Sequence, residues 1–166
     1  QDALRHVAPA LPESRYTELG SRYRHHYVAS QHELSLFPGT IDMLQALKAR
    51  RHRLGVATGK GRRGLDDALA HSQLKGLFDG TRTADETASK PDPLMLRELM
   101  RELGAEPART LMVGDTTHDL LLARNAGTPS VAVSFGAHEY EAFAEFGPLH
   151  VAHSMRELHD WLLANA

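Results

Sequence analysis

No cysteine occurs among the 166 residues, which removes disulfides and thiolate metal sites together and suits a reducing compartment. Nor does any run approach the about 20 apolar residues of a membrane span, or the apolar stretch of a secretory signal. An excess of one charge is missing as well. Nineteen Lys and Arg stand against 21 Asp and Glu, interspersed along the chain, for a formal net charge of -2. Such a chain has no basic field to hold nucleic acid or an anionic membrane. Repeats and low-complexity tracts are also absent. These absences predict a cytoplasmic globular protein that binds neither nucleic acid nor membrane, and they leave its oligomeric state open.

What is present is a 42% hydrophobic fraction, enough for one buried core, and a regular alternation of short apolar runs with helical patterns. Tyr16, Leu19, Tyr23 and Tyr27 at helical spacing predict a helix from Glu13 to Ser30. Pro38-Gly39 breaks the chain, and Thr40, suited to capping, opens a helix marked by Ile41, Leu44 and Leu47. Strands are predicted at Leu54 to Ala57, Leu77 to Asp79, Thr110 to Val113, Ser130 to Val133 and Leu149 to Ala152. Helices are predicted from Arg62 to Ser72, after Pro93 until Gly104, from Thr117 to Ala126 and from Met155 to Ala164. Strands alternating with helices imply an α/β fold, a parallel sheet with helices on both faces and ligands at the carboxyl ends of the strands. Residues 1–35 differ in character and form a candidate separate subdomain beside 36–166.

The segment Leu111-Met112-Val113-Gly114-Asp115-Thr116-Thr117-His118-Asp119 is the most informative. An apolar strand ends in glycine and delivers two carboxylates, one helical turn apart, onto a strand-to-helix corner. Oxygen-only donors of this kind suit Mg²⁺. The alternative is that Asp115 merely caps the next helix. Thr58 and Gly59 end another strand, where a hydroxyl and an amide suit an anion. Lys90 precedes Pro91, which holds it out of helical geometry. Taken singly, Thr58 and Lys90 also read as ordinary surface residues.

In combination these segments resemble the haloacid dehalogenase-like hydrolase superfamily. Val56-Ala57-Thr58-Gly59 looks like its second motif, Ser89-Lys90-Pro91-Asp92-Pro93 its third, and Gly114-Asp115-Thr116-Thr117-His118-Asp119 its fourth. Leu36-Phe37-Pro38-Gly39 looks like the return from a helical cap to the core. The resemblance is greatest to phosphoglycolate-phosphatase-like members with such a cap. It implies a Rossmann-like core over 36–166, part of a helical cap over 1–35, and Mg²⁺-dependent hydrolysis of a small phosphorylated metabolite through an aspartyl-phosphate. Thr58, Gly59 and Lys90 would bind the phosphate, with Thr58, Lys90 and Asp115 as catalytic residues. Asp115 would ligate Mg²⁺, and Asp119 would bind or orient beside it. No Asp-x-Asp, the family's first motif, occurs in these residues. The resemblance therefore implies that Gln1 lies inside the cap, that a central strand carrying the nucleophile lies upstream, between the strands ending at Thr58 and Asp115, and that the chain alone is inactive.

Arg22 to Tyr27, Arg62 and Arg63 are candidate substrate contacts that also read as solvated helix surface. His118 is expected to face solvent. The loop Gly136-Ala137-His138-Glu139 lies near a strand end, and no zinc site is expected. Competing readings are a dehalogenase, a non-catalytic scaffold on the same fold, and a dinucleotide-binding domain. The last rests on Gly59-Lys60-Gly61-Arg62-Arg63-Gly64, which fits GxGxxG between a strand and a helix. A Walker loop fails, because Leu54 and Gly61 stand where Gly and Ser or Thr are required.

Overall fold

A computed structural model describes residues 8–22, 35–138 and 140–166. The chain divides into two compact units, Gln1–Ser35 and Leu36–Ala166. In the smaller unit a 3-10 turn at Glu13–Arg15 leads into helix over 16–22. Tyr16 is buried there and donates its hydroxyl to the Ala8 carbonyl at 2.8 Å. The helix expected from Glu13 thus opens as the tighter turn that Pro12 sets up, with Arg15 N–H donating to the Pro12 carbonyl. Its continuation past residue 22, with Tyr23 and Tyr27, lies outside the described residues.

The larger unit alternates helix and strand in this order: α1 (Thr40–Ala49), β1 (Gly55–Thr58), α2 (Arg62–His71), β2 (Gly80–Thr83), α3 (Leu94–Leu103), β3 (Met112–Gly114), α4 (Thr117–Ala126), β4 (Ser130–Val133), β5 (His150–Ala152) and α5 (Met155–Asn165). A 3-10 segment, Tyr140–Phe146, separates β4 from β5. Gly39, at a φ of 88°, is the N-cap of α1. Thr40, expected as the cap, is instead the first helical residue, and its hydroxyl donates back to the Phe37 carbonyl at 2.7 Å. α3 ends as the sequence suggests, on Gly104 in the left-handed region.

All strand pairs are parallel. β3, β4 and β5 form one sheet in that order, and β1 pairs with β2 in another, Gly55 opposite Gly80 through Thr58 opposite Thr83. β4 is buried along its whole length, as a parallel strand covered on both faces should be. Val131 and Val133 join α1 and α5 in one cluster with Met43, Leu47, Leu158 and Leu162. Ala132 faces a different cluster, with Leu120 of α4 and Phe143. Helical layers therefore cover both faces of this sheet.

Among the described residues β1 and β3 do not pair, so each keeps one free edge. Val113, in the middle of β3, is 37% exposed although its two strand neighbours are buried, and β1 has no fully buried residue. The two strands still share a layer, since Ala57 packs on the cluster formed by Met95, Met100, Met112 and Leu122. Here α3 contacts β1, β2 and α4.

Strand assignments move: β3 begins at Met112 rather than Thr110 and takes in Gly114, and β5 begins at His150 rather than Leu149. No strand forms over Leu77 to Asp79, because Asp79 is a tie: its carboxylate accepts from Lys48 Nζ at 2.6 Å and from Leu54 N–H at 2.7 Å, and β2 follows it in a polar Gly-Thr-Arg-Thr run. β1 extends one residue further than the apolar run, so Thr58 is the last ladder residue. Among the described residues no helix is long and apolar enough to cross a membrane.

Candidate active site

Asp115 follows β3, and Asp119 occupies the first turn of α4. The N-cap of α4 is Thr116, which overturns the reading of Asp115 as a simple cap. Thr116 and Asp119 form a capping box: Asp119 N–H donates to Thr116 Oγ1 at 3.2 Å, and Asp119 Oδ2 accepts from Thr116 N–H at 3.1 Å. This reciprocal pattern satisfies two amides that a helix start would otherwise leave bare. The Thr116 hydroxyl also donates to Asp119 Oδ2 at 2.8 Å. The other oxygen, Oδ1, accepts from Lys90 Nζ at 2.6 Å.

The Lys90 and Asp119 side chains are only 17% and 5% exposed, so the ion pair is largely shielded from solvent. The pair holds the Lys90 ammonium against the first turn of α4. Around it, Lys90-Pro91 is a cis peptide, Asp92 Oδ1 accepts from Leu94 N–H at 2.9 Å, and Asn125 Nδ2 of α4 donates to the Pro91 carbonyl at 3.0 Å. The lysine loop is thereby tied to α3 and α4. Both Asp119 oxygens thus accept hydrogen bonds, Oδ1 from Lys90 and Oδ2 from Thr116.

Asp115 points elsewhere. Its Oδ2 accepts from Ala137 N–H at 2.9 Å, and its carbonyl accepts from His138 N–H at 3.2 Å. The loop after β4 presses so close that a Cβ on Gly136 would stand 2.1 Å from the Asp115 Cβ. Gly114 is as constrained, since a Cβ there would lie 2.2 Å from the Asp119 Cβ. His138 Nδ1 accepts from Thr117 N–H at 3.2 Å, and its ring meets exposed His118 edge-on at 5.9 Å.

Thr58 ends β1 half-buried, with the exposed Gly59 next. Lys60 N–H donates to Thr58 Oγ1 at 3.2 Å, which takes up a lone pair and leaves the hydroxyl proton for another acceptor. Thr58 shares no hydrogen bond with Lys90, Asp115 or Asp119.

Among the described residues no three His, Cys, Asp or Glu side chains cluster as a metal site. Asp115 offers one carboxylate whose Oδ1 is not engaged by the loop that holds Oδ2. That is a hard oxygen donor of the kind Mg²⁺ takes one or two of, completing its octahedron with water and substrate phosphate. The donor chemistry fits, as a contribution to a site rather than a whole one.

Arg62 is not a free anion contact. Its guanidinium grips Glu86 with two bonds, Nε to Oε1 at 2.9 Å and Nη2 to Oε2 at 2.6 Å, and reaches Thr81 Oγ1 at 3.0 Å. This holds the Glu86 carboxyl down at about 2 and raises the pKa of Arg62. The backbone N–H of Arg62 lies 3.0 and 3.1 Å from the two oxygens of Asp85. The N-terminus of α2, where GxGxxG would seat a pyrophosphate, is therefore already filled by a protein carboxylate. Arg63 is exposed. Of the segment Arg22 to Tyr27, only Arg22 is described, paired with Glu18 at 3.3 Å. The rest lies outside the described residues.

A sequence model of the haloacid dehalogenase-like hydrolase family matches residues 2–133. The chain belongs to this family. It is 38% identical over 134 residues to a phosphoglycolate phosphatase from Rhodospirillum rubrum, covering 77% of this chain and 53% of that protein. It is 33% identical over 144 residues to the pyrophosphatase PpaX from Bacillus cereus, covering 81% and 67%. A crystal structure of a predicted phosphatase from Clostridium acetobutylicum superposes with a TM-score of 0.85 at 25% identity, covering 98% of this chain and 76% of that one. The chain spans about half the length of the first of these relatives.

Within this member of the haloacid dehalogenase-like hydrolase family the sequence named the strand-end residues and missed their supports. Asp85 and Glu86 escaped notice because they act on a loop 23 and 24 positions away in sequence, reached only through the β1/β2 register. Thr116 offered a signal that was available: a threonine three residues before an acidic residue at a helix start is a capping box.

Proposed function

We propose that the protein to which this chain belongs is a Mg²⁺-dependent phosphomonoester hydrolase acting on a small phosphorylated metabolite. The observation that carries the reading is the shielded Lys90–Asp119 pair at 2.6 Å, set one helical turn from Asp115. On this reading it holds an ammonium near the carboxyl end of a parallel strand, where α/β folds do their chemistry. The phosphatase relatives and the shared fold support the same class.

On this reading each residue has one task. Thr58 donates its hydroxyl proton, and Gly59 its amide, to a non-bridging phosphoryl oxygen. Lys90 neutralises a second oxygen, and Asp119 keeps Lys90 oriented. Asp115 would hold Mg²⁺ through Oδ1 while the 136–138 loop fixes its Oδ2. Bound there, the ion would supply charge neutralisation on the phosphoryl oxygens. The attacking carboxylate belongs to a further strand along the free edges of β1 and β3, and residues 1–35 are part of a helical cap. On this reading residues 1–166 alone do not turn over substrate, because they offer no Asp-x-Asp for the attack.

The test is a panel of phosphomonoesters offered to the full-length protein with Mg²⁺ and with EDTA. Turnover that requires Mg²⁺, and that falls by a factor of about 10² to 10³ or more in Asp115→Asn, is the expected result. Turnover indifferent to EDTA, or unchanged in Asp115→Asn, contradicts the assignment.

A further inference from the structure

The segments that follow β1 and β2 are bound together more heavily than two surface loops need to be. Thr83, fully buried, is the ladder partner of Thr58. Its hydroxyl lies 2.6 Å from Asp85 Oδ1 and 2.9 Å from Glu86 Oε2, donating to one of them. Asp85 in turn accepts the first amide of α2, and Glu86 receives the two-pronged grip of Arg62. Ala84 N–H donates to the Lys60 carbonyl at 3.1 Å. Gly61 permits this approach, since a Cβ there would stand 2.9 Å from Asp85 Oδ2. Isolated exposed ion pairs hold little, but a bidentate pair inside a network with fixed geometry does more.

The ties that cross between the two segments end on Lys60 and Arg62, two and four residues beyond Thr58. The α2 N-terminus has no side-chain cap of its own, so the cap is delivered from the neighbouring loop.

We propose that Asp85, backed by the Arg62–Glu86 pair, is a positioning residue for the Thr58-Gly59-Lys60 turn. Resting on the phosphatase reading above, this deepens it. By occupying the α2 amide with a protein carboxylate, Asp85 stops that amide from competing for the substrate's anion. The carboxylate also locks the turn, so that the Thr58 hydroxyl and Gly59 amide share one direction. The arrangement belongs to the ground state as much as to the transition state, so it acts on binding.

The test uses the full-length protein with p-nitrophenyl phosphate and inorganic phosphate as probes, in wild type, Asp85→Ala, Asp85→Asn, Glu86→Gln and Thr58→Val. Amide hydrogen exchange at residues 59–62 is followed in parallel. Asp85→Ala should raise KM and the phosphate Kd about tenfold or more and speed exchange at 59–62. Asp85→Asn, which keeps one acceptor, should recover most of both, and Glu86→Gln should fall between. A purely structural role would lower kcat through the folded fraction and leave KM in place. That result, or unchanged exchange at 59–62 in Asp85→Ala, overturns the proposal. If wild type hydrolyses nothing, or Thr58→Val matches it, the phosphatase reading fails instead, and the exchange measurement still decides whether Asp85 orders the turn.

Discussion

At the scale of single residues, Lys90 depends on Asp119 as much as Asp119 depends on Lys90. With the Asp119 side chain 5% exposed, removing the ammonium strands a buried negative charge, and breaking one half of such a pair costs about 3–5 kcal/mol. Lys90→Ala should therefore lower unfolding free energy by that amount in urea titrations of the full-length protein, while Lys90→Ala/Asp119→Asn should recover part of it. A single-variant loss below about 1 kcal/mol would mean that the pair is solvated. Glu86 gives a second prediction, in acid. Its folded pKa, about 2, is below the 4.5 of a free glutamate because Arg62 grips it. Its contribution is thus complete above about pH 4.5 and is lost as pH falls toward 2. With the side chain 39% exposed, the size is at most about 1 kcal/mol. Glu86→Gln should flatten the stability-versus-pH curve within that window and leave its slope near pH 7 alone. An unchanged acid limb would show that the Arg62–Glu86 bonds do not persist in solution.

At the scale of elements, the corner between β3 and α4 is built on close approach. A Cβ at 114 meets the Asp119 Cβ at 2.2 Å, an atom next to the backbone that cannot swing aside. Gly114→Ala should destabilise by about 1–3 kcal/mol and shift the lysine contact, giving a variant that loses turnover more than stability. Equal activity per folded molecule would contradict that. Helices and the β4 strand were legible in the sequence because their residues report their own surroundings: Ser130 to Val133 is rich in aliphatic and β-branched residues, and Thr117 to Ala126 stops at Gly127. β2 was not legible, since Gly-Thr-Arg-Thr is polar and becomes a strand only by pairing with β1. The same reason separates the site residues. Thr58, Lys90 and Asp115 carry local signals, a strand end or a proline, whereas the partners of Arg62 and the closeness of Gly136 to Asp115 exist only in three dimensions.

At the scale of the whole molecule, the two sheets of the larger unit and their free edges at β1 and β3 give the proposed function its frame. Thr58 ends a strand of one sheet and Asp115 follows a strand of the other, with α3 packed against β1 and α4 between them. An edge strand with exposed Val113 is an invitation to pairing, and the proposed nucleophile-bearing strand would lie there. On this reading groups on separate sheets must meet one anion. The most direct measurement is a crystal structure of the full-length protein with Mg²⁺ and orthovanadate, a mimic of the transferred phosphoryl. The account predicts Asp115 Oδ1 at about 2.1 Å from the ion, with Thr58 Oγ1 and Lys90 Nζ both within hydrogen-bond reach of vanadate oxygens. Vanadate bound away from either group, or Mg²⁺ held without Asp115, would contradict it.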